Sequence, residues 1–248
     1  MRVGFLGTGE IAKAMVMGLA GRGFDILVSR RSEATSSKLA EVLSDVRVAD
    51  NAELVEASDI VVVCLMTDVA REALSALPFR EDQQVISVMA DASLEDVRAW
   101  VAPVHIVCIT LPLPAIATGG THLPCYPSSD AVEQLFGASN TVGTVPSEAA
   151  LGAHFAATAL CSVTLAQMAT TRDWLAGFGM DAEAAEGFVA SMLSGAMRDA
   201  DGGIDAALAR LNTDGGLNQT LRKHMEPAQD QLREGLDGFR ARLGLPEA

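Results

Sequence analysis

The most constraining feature of this sequence is a glycine-rich turn close to its start. A short apolar segment, Arg2–Leu6, runs into Gly7-x-Gly9-x-x-Ala12, and residues 11–20 then have the composition of a helix of small residues. The first glycine permits a tight turn, the second lets a phosphate approach the backbone, and the small third residue lets helix pack closely on strand. Free amides at such a helix start attract anions. The spacing therefore predicts a turn that binds the pyrophosphate of a dinucleotide. The predicted cofactor-binding residues of this turn are Gly7, Thr8, Gly9, Glu10, Ile11 and Ala12.

The end of the second predicted strand, Asp25–Ser29, bears on which dinucleotide is bound. A site for NAD usually has an acidic residue there, which binds the ribose 2′-hydroxyl. This chain instead has two arginines flanked by two hydroxyls. A guanidinium forms charge-assisted, often bidentate bonds with phosphate, so we expect NADP(H) rather than NAD(H). A solvated pair of charges is the alternative. The residues expected around the 2′-phosphate are Ser29, Arg30, Arg31 and Ser32.

The order of predicted elements defines the fold class. Strands alternate with helices through the first half, and residues 59–65 form the strongest strand pattern in the chain. Apolar strands in β-α-β-α order indicate a parallel sheet covered on both faces. We predict an α/β protein in which an N-terminal Rossmann-type, doubly wound parallel sheet is followed by an all-α dimerisation domain. The predicted domains are residues 1–145 and residues 146–248.

The second half has no convincing strand pattern. Ser147 is suited to cap a long helix that is predicted to extend to Phe178. A second helix is expected over residues 181–198, a turn at Asp201-Gly202-Gly203, and a longer last helix over about residues 220–243.

Composition excludes several other classes. The chain has 18 Lys and Arg against 32 Asp and Glu, a formal net charge of −14. No nucleic-acid partner is expected, because phosphate contacts need clustered basic side chains. The four cysteines lie far apart without a C-x-x-C motif and the histidines are isolated, so no disulfide framework or metal site is expected. We expect a cytoplasmic protein without a membrane span, since neither a signal peptide nor about 18 consecutive apolar residues is visible.

Several segments taken together resemble the pyrroline-5-carboxylate reductase family. They are residues 4–20, 50–53, 59–65, 86–94 and 109–115, with Gly119-Gly120-Thr121 behind them and an all-helical second half. The resemblance reaches to about Glu226 and is strongest before Pro146. It implies a nucleotide domain and a helical domain that dimerises by interlocking helices. It also implies hydride transfer from NAD(P)H to a cyclic imine carbon.

Where the chain departs from that family, polar groups are lost. The family typically has a Lys-Pro-like pair after the fourth strand and Met-Pro-Asn after the sixth, whereas this chain has Met66-Thr67 and Leu111-Pro112-Leu113. One of two carboxylate-binding threonines near the end is replaced by a leucine, Leu217. A pocket with fewer donors binds a carboxylate poorly, because a desolvated anion needs several hydrogen bonds. We therefore expect a less acidic imine or carbonyl substrate.

The resemblance also implies where cofactor and substrate lie. The residues implied beside the nicotinamide are Leu65, Met66, Thr67, Leu111 and Pro112. The residues implied at the substrate are Cys161, Ser162, Gly215, Gly216 and Asn218. Asn51, at the start of a helix after the third strand, either caps that helix or contacts the adenosine ribose.

Hydride transfer needs placement of two carbon atoms and a proton donor or polarising group. The candidate catalytic residues are His154, Thr158 and Thr164. His154 and Thr158 are spaced i,i+4 on the predicted long helix, and imidazoles exchange protons near neutral pH. The alternatives are a surface histidine, and helix hydroxyls that bond to carbonyls of the preceding turn, as Thr164 and Ser162 could.

The sequence thus predicts a homodimeric NADP-dependent oxidoreductase that acts on a C=N or C=O bond of a small substrate. Two other functions fit the same pattern. One is a non-catalytic NADP-binding sensor or interaction protein, which the loss of polar pocket groups favours. The other is a true pyrroline-5-carboxylate reductase of proline biosynthesis with an altered pocket.

Overall fold

A computed structural model describes residues 1–198 and 202–246 of the chain. Its centre is one eight-stranded sheet with the strand order β3-β2-β1-β4-β5-β6-β7-β8. The strands are β1 Arg2–Leu6, β2 Asp25–Ser29, β3 Val46–Ala49, β4 Ile60–Val63, β5 Gln84–Ser87, β6 Ile106–Thr110, β7 His122–Tyr126 and β8 Thr141–Thr144.

Helices cover the sheet and form the second half of the chain. Those of the first half are α1 Glu10–Leu19, α2 Glu33–Val42, α3 Asn51–Ala57, α4 Thr67–Ser75, α5 Leu94–Trp100 and α6 Asp130–Phe136, with a 3₁₀ helix at Pro114–Ala117. Those of the second half are α7 Glu148–Ala157, α8 Leu160–Ala176, α9 Ala182–Arg198, α10 Ile204–Arg210, α11 Leu217–His224, α12 Glu226–Asp237 and α13 Phe239–Arg242.

The strand order reverses direction between β1 and β4. Both strands are parallel and in register from Val3 opposite Ile60 to Leu6 opposite Val63. Such a topological switch point opens a crevice at the carboxyl ends of the strands, where α/β sheets bind ligands. The glycine turn after β1 lies at this edge.

The two faces of the sheet bury separate apolar clusters. Ile60 and Val62 of β4 lie in the cluster under α1 and α6, and Val61 and Val63 lie in the cluster under α3, α4 and α5. All four residues are buried. Burial on both faces explains why β4 is continuously apolar, as parallel strands are. The predicted Rossmann-type α/β class with a helical second half is confirmed.

Part of the sheet was not predicted. β7, which begins at His122, runs antiparallel to β6, and β8 pairs parallel with β7. The sequence did not predict β7 because this strand contains Pro124, and proline is rarely found in inner strands. The Pro124 carbonyl accepts hydrogen bonds from the Leu111 amide and the Thr110 hydroxyl.

The two long predicted helices are divided. The first is interrupted at Thr158 and Ala159 between α7 and α8, and the last is replaced by α11, α12 and α13. In the predicted turn 201–203, Asp201 lies outside the described residues, as do residues 247 and 248 of the predicted second domain. Gly202 and Gly203 of that turn have positive φ angles of 84° and 89°.

The chain forms two compact units. Unit 1 holds Met1–Phe155 with the last residues from Leu243 onward, and unit 2 holds Ala156–Arg242. The predicted domain boundary at residue 145 stays a prediction, and the first helix after it, α7, divides between the units. Leu151 of α7 is buried in the unit 1 core.

The helical segment Glu148–Ala176 is long and apolar. Within its 29 residues an 18-residue stretch reaches a mean hydropathy of 1.5, which by length and composition would suffice to cross a membrane. A single such helix is weak evidence for a membrane protein, since apolar interface helices of soluble proteins have the same composition.

Candidate coenzyme site

The glycine turn is shaped by Gly7. Its φ of +92° is a conformation that side chains disfavour, and a Cβ there would collide with the Cys64 carbonyl oxygen at the end of β4. Gly7 is therefore required for the fold of the turn itself. The Cys64 contact is not predictable from the sequence, because the contacting group is a backbone carbonyl.

Gly9 differs from Gly7, because the fold of the turn would accept a side chain at this position. A Cβ at Gly9 would have no heavy atom within 4 Å, so the space in front of this residue is open. Gly9 is the N-cap of α1, and no side chain in the described part of the chain caps that helix. The first intrahelical bond runs from the Lys13 amide to the Gly9 carbonyl. The helix start thus presents free amides to an open space, which is the arrangement that binds a pyrophosphate.

The side chains of two other residues of the turn, Thr8 and Glu10, contact protein groups. Thr8 is buried, with its hydroxyl 3.4 Å from the Ser29 carbonyl oxygen. Glu10 is exposed and lies 3.8 Å from Lys13, whose charge offsets that of the carboxylate.

The predicted 2′-phosphate residues divide into two groups. Ser29 is buried, and its hydroxyl accepts a hydrogen bond from the Gly7 amide at 2.8 Å, so it faces the turn and not the solvent. Arg30 and Arg31 are exposed, and neither has a hydrogen bond or ion pair among the residues described here. Ser32 is the N-cap of α2 but makes no side-chain capping bond. Two free guanidinium groups and a free hydroxyl therefore stand directly after β2.

Asn51 does not cap its helix. The N-cap of α3 is Asp50, whose side chain accepts a hydrogen bond from the Glu53 amide at 2.9 Å. Asn51 is the first helical residue and is half-buried. The capping interpretation of Asn51 is therefore wrong, and contact with the adenosine ribose stays a prediction.

The predicted nicotinamide side of the edge is apolar. Met66 is the N-cap of α4 and is 74% exposed, and Thr67 is the first residue of that helix. Leu65 packs partly against the core, as does Leu111, while Pro112 is buried. These residues follow β4 and β6 at the carboxyl edge of the sheet, and their contact with the nicotinamide stays a prediction.

Among the residues predicted around the substrate, His154 and Ser162 have local partners. The Nδ1 atom of His154 lies 2.7 Å from the Ala150 carbonyl oxygen within α7, and the ring is exposed. Thr158 lies in the turn between α7 and α8, so the expected i,i+4 helical spacing with His154 is broken. The Ser162 hydroxyl donates to the Ala159 carbonyl at 3.0 Å, which is the structural alternative proposed for it. Thr164 is half-buried on α8, and Cys161 is exposed.

The glycine pair precedes α11 in unit 2. The Gly215 amide donates to the Gln219 side chain at 3.0 Å, and Gly216 is the N-cap of α11 without a side-chain cap. Asn218 in the first turn is exposed, and Leu217 beside it is 91% exposed. Substrate contact by this segment stays a prediction.

Comparison with known proteins agrees with the geometry of the turn. Residues 2–91 match the family described as NADP oxidoreductase, coenzyme F420-dependent. Over 105 residues the chain is 27% identical to pyrroline-5-carboxylate reductase 2 of Bacillus subtilis. That alignment spans 40% of this chain and 38% of the relative's length.

The fold is similar to solved structures over its whole length. The 1-pyrroline-5-carboxylate reductase of Streptococcus pyogenes is 16% identical with a TM-score of 0.80, covering 99% of both chains. A reductive aminase from Aspergillus terreus, solved with NADPH and ethyl-5-oxohexanoate, is 16% identical with a TM-score of 0.63. The second comparison covers 99% of this chain and 88% of the other.

The turn lies in the segment that matches the family described as NADP oxidoreductase, coenzyme F420-dependent. The fold of the whole chain is similar to that of solved pyrroline-5-carboxylate reductases. The resemblance predicted from the sequence is confirmed.

Proposed function

We propose that this protein is an NADP-dependent oxidoreductase that transfers a hydride between NADPH and a C=N bond, or a C=O bond, of a small substrate. The observation that supports it most directly is the open space at Gly9, which lies beside uncapped helix amides and at the same sheet edge as the two free arginines that follow β2. The relatives named above are pyrroline-5-carboxylate reductases and a reductive aminase.

The residues of unit 1 would bind and orient the coenzyme. The first amides of α1 would bind the pyrophosphate, because they point at the open side of the turn and carry the positive end of the helix dipole. Arg30 and Arg31 would bind the 2′-phosphate through charge-assisted bonds. The bound nicotinamide supplies the hydride. Leu65, Met66, Thr67, Leu111 and Pro112 would exclude water beside it.

The coenzyme preference tests the arginine assignment. Replacing Arg30 and Arg31 together with alanine removes two unpaired guanidinium groups that the fold does not use, so the variant should fold normally. We expect the Kd for NADPH to rise by roughly 100-fold or more, as charge-assisted bonds of about 1.5–3 kcal/mol each would give. The Kd for NADH should change little. Isothermal titration with both coenzymes measures this, and an equal loss for the two would refute the assignment.

A reductase assay distinguishes an enzyme from a sensor. The protein is mixed with NADPH and a candidate substrate, and the fall in NADPH absorbance measures turnover. The candidates are cyclic imines that carry a carboxylate, cyclic imines that lack one, and ketones. We expect turnover of imines without a carboxylate, because Leu217 and the apolar edge offer few donors to an anion. Tight NADPH binding with no turnover of any of the three groups would favour the sensor, and turnover confined to the carboxylated imine would favour the proline-pathway enzyme.

We further propose that the protein is a homodimer joined through the helices of unit 2 and resides in the cytoplasm. Unit 2 carries many exposed large apolar side chains, including Trp174, Phe178 and Ile204, which a monomer would leave in water. All four cysteines are free thiols, as in a reducing compartment.

A further inference from the structure

Ser29 joins the end of β2 to the glycine turn at a place where backbone pairing between β1 and β2 has ended. The last registered pair between β1 and β2 is Phe5 with Val28. One residue further, the Ser29 hydroxyl oxygen accepts the Gly7 amide at 2.8 Å. A side-chain hydrogen bond therefore continues the contact between strand and turn.

The bond lies away from water. Ser29 and Thr8 are each 1% exposed, and Gly7 is buried. A buried amide that loses its acceptor pays a desolvation penalty, so the backbone shifts until the amide finds another partner. The Gly7 Cα cannot shift toward β4, because the Cys64 carbonyl oxygen already occupies that side. Loss of the hydroxyl would therefore move the turn and the start of α1 behind it.

Two anion-binding groups flank this bond. The free amides of α1 follow Gly7, and Arg30 and Arg31 follow Ser29. One NADP molecule must reach both, and a small misplacement of either weakens the combined site. We propose that Ser29 is a positioning residue whose hydroxyl holds the amide-lined start of α1 at the place that the pyrophosphate requires. The inference builds on the proposed function, since it presumes that NADP binds here.

Two fragments of the coenzyme separate this role from a general effect on folding. ADP-ribose has the pyrophosphate but lacks the 2′-phosphate, whereas 2′-AMP has the 2′-phosphate but lacks the pyrophosphate. For Ser29→Ala we expect the Kd of ADP-ribose and of NADPH to rise about tenfold, the ratio that one lost hydrogen bond gives. The Kd of 2′-AMP should stay within about twofold on the same grounds. The double alanine variant of Arg30 and Arg31 should show the reverse pattern, and isothermal titration measures all of these constants.

A matched control and a rescue test whether the role is only structural. Ser58→Ala removes another buried hydroxyl, which donates to the Leu54 carbonyl before β4, away from the carboxyl edge of the sheet. It should leave all three Kd values unchanged. Ser29→Thr keeps a hydroxyl on Cβ and should restore ADP-ribose binding. Amide hydrogen exchange over residues 7–12 of the free protein provides a second readout, and it should be faster in Ser29→Ala than in Ser58→Ala.

The possible outcomes separate the two proposals. Unchanged ADP-ribose binding in Ser29→Ala would overturn the positioning role while leaving NADP binding intact. Equal weakening of both fragments, or the same weakening in Ser58→Ala, would also overturn it, since general destabilisation would then explain the loss. If the unaltered protein bound none of NADPH, ADP-ribose and 2′-AMP, the proposed function itself would be refuted.

Discussion

At the scale of single residues, two glycines of one motif serve different ends. Gly7 is needed by the fold, because its positive φ and the nearby Cys64 carbonyl leave no place for a side chain. Gly9 is not needed by the fold, because its backbone is extended and a Cβ would meet nothing within 4 Å. The motif therefore combines a structural requirement with a ligand requirement, although its sequence pattern does not distinguish them.

Substitutions of the two glycines should consequently have different effects, one on stability and the other on coenzyme binding. Gly7→Ala should lower the free energy of unfolding by about 2 kcal/mol or more, through strain and collision. Gly9→Ala should leave that free energy nearly unchanged but raise the Kd for NADPH on the order of tenfold, because the methyl group enters the space of the pyrophosphate. Urea unfolding and NADPH titration of both variants measure the two effects. Normal NADPH binding by Gly9→Ala would place the pyrophosphate elsewhere.

The buried thiol of Cys108 should make the free energy of unfolding depend on pH in the alkaline range. Burial raises the pKa of the Cys108 thiol to about 12, from an ordinary value of 9.0, with smaller effects from Ser129 and Cys125. Below pH 9.0 the thiol is protonated in both states. Between about pH 9 and pH 12 the unfolded chain loses this proton and the folded chain keeps it, so the free energy of unfolding falls as pH rises.

Cys108→Ala should therefore reduce the slope of unfolding free energy against pH in that alkaline range. The variant will be less stable at every pH because it leaves a cavity, so the slope and not the absolute stability is the measurement. Val107→Ala, which leaves a cavity at the neighbouring buried position of β6 without removing a thiol, is the control and should keep the original slope. An unaltered slope in Cys108→Ala would contradict the assignment.

At the scale of elements, α1 packs unusually closely on the 3₁₀ helix Pro114–Ala117. A Cβ at Gly18 of α1 would lie 2.6 Å from the Ile116 carbonyl oxygen. Ile116 itself is buried in the cluster beneath α1. The closeness of these two elements therefore depends on one glycine in the last turn of α1, where alanine would have the better helix propensity.

Gly18→Ala should destabilise the protein despite the better helix propensity of alanine. The expected loss is about 1–3 kcal/mol from overpacking, against a gain of at most about 1 kcal/mol from propensity. Gly235→Ala in α12 is the matched control, because a Cβ there meets nothing within 4 Å, and it should stabilise the helix. Thermal unfolding of both variants decides this, and a higher Tm for Gly18→Ala would show that the contact can relax.

At the scale of the whole molecule, unit 1 has an extensive core and unit 2 has little of one. In unit 2 only Ala156, Ala185 and Val189 are buried apolar residues among those described. On α9, Phe188 and Met192 are spaced i,i+4 and are both about half exposed. Unit 2 thus leaves apolar side chains uncovered, and the proposed homodimer would bury them against a second copy of the chain.

Charged residues on this face should produce monomers. The unaltered protein should have about twice the 25.9 kDa chain mass in light scattering. Phe188→Asp with Met192→Asp should reduce the mass to that of one chain, because two carboxylates cannot be buried there without partners. Val42→Asp replaces an exposed apolar residue of α2 in unit 1 and should leave the dimer intact. Monomeric unaltered protein, or its recovery with membranes, would refute this assembly.

Much of unit 1 was predictable from local patterns. Apolar β4, the glycine turn and the arginines after β2 each follow from short-range requirements: burial on both sheet faces, a positive φ, and an available positive charge. Such features depend on neighbours in sequence, so a pattern of residue types is enough to identify them.

Tertiary structure decided what depends on residues far apart. The sequence placed Ser29 beside the coenzyme, and only the approach of β2 to the turn showed that its hydroxyl binds the Gly7 amide. β7 with its Pro124 joins the sheet antiparallel to β6. In each case the deciding contact involves a specific hydrogen bond whose geometry depends on the folded backbone, and residue types alone do not specify that geometry.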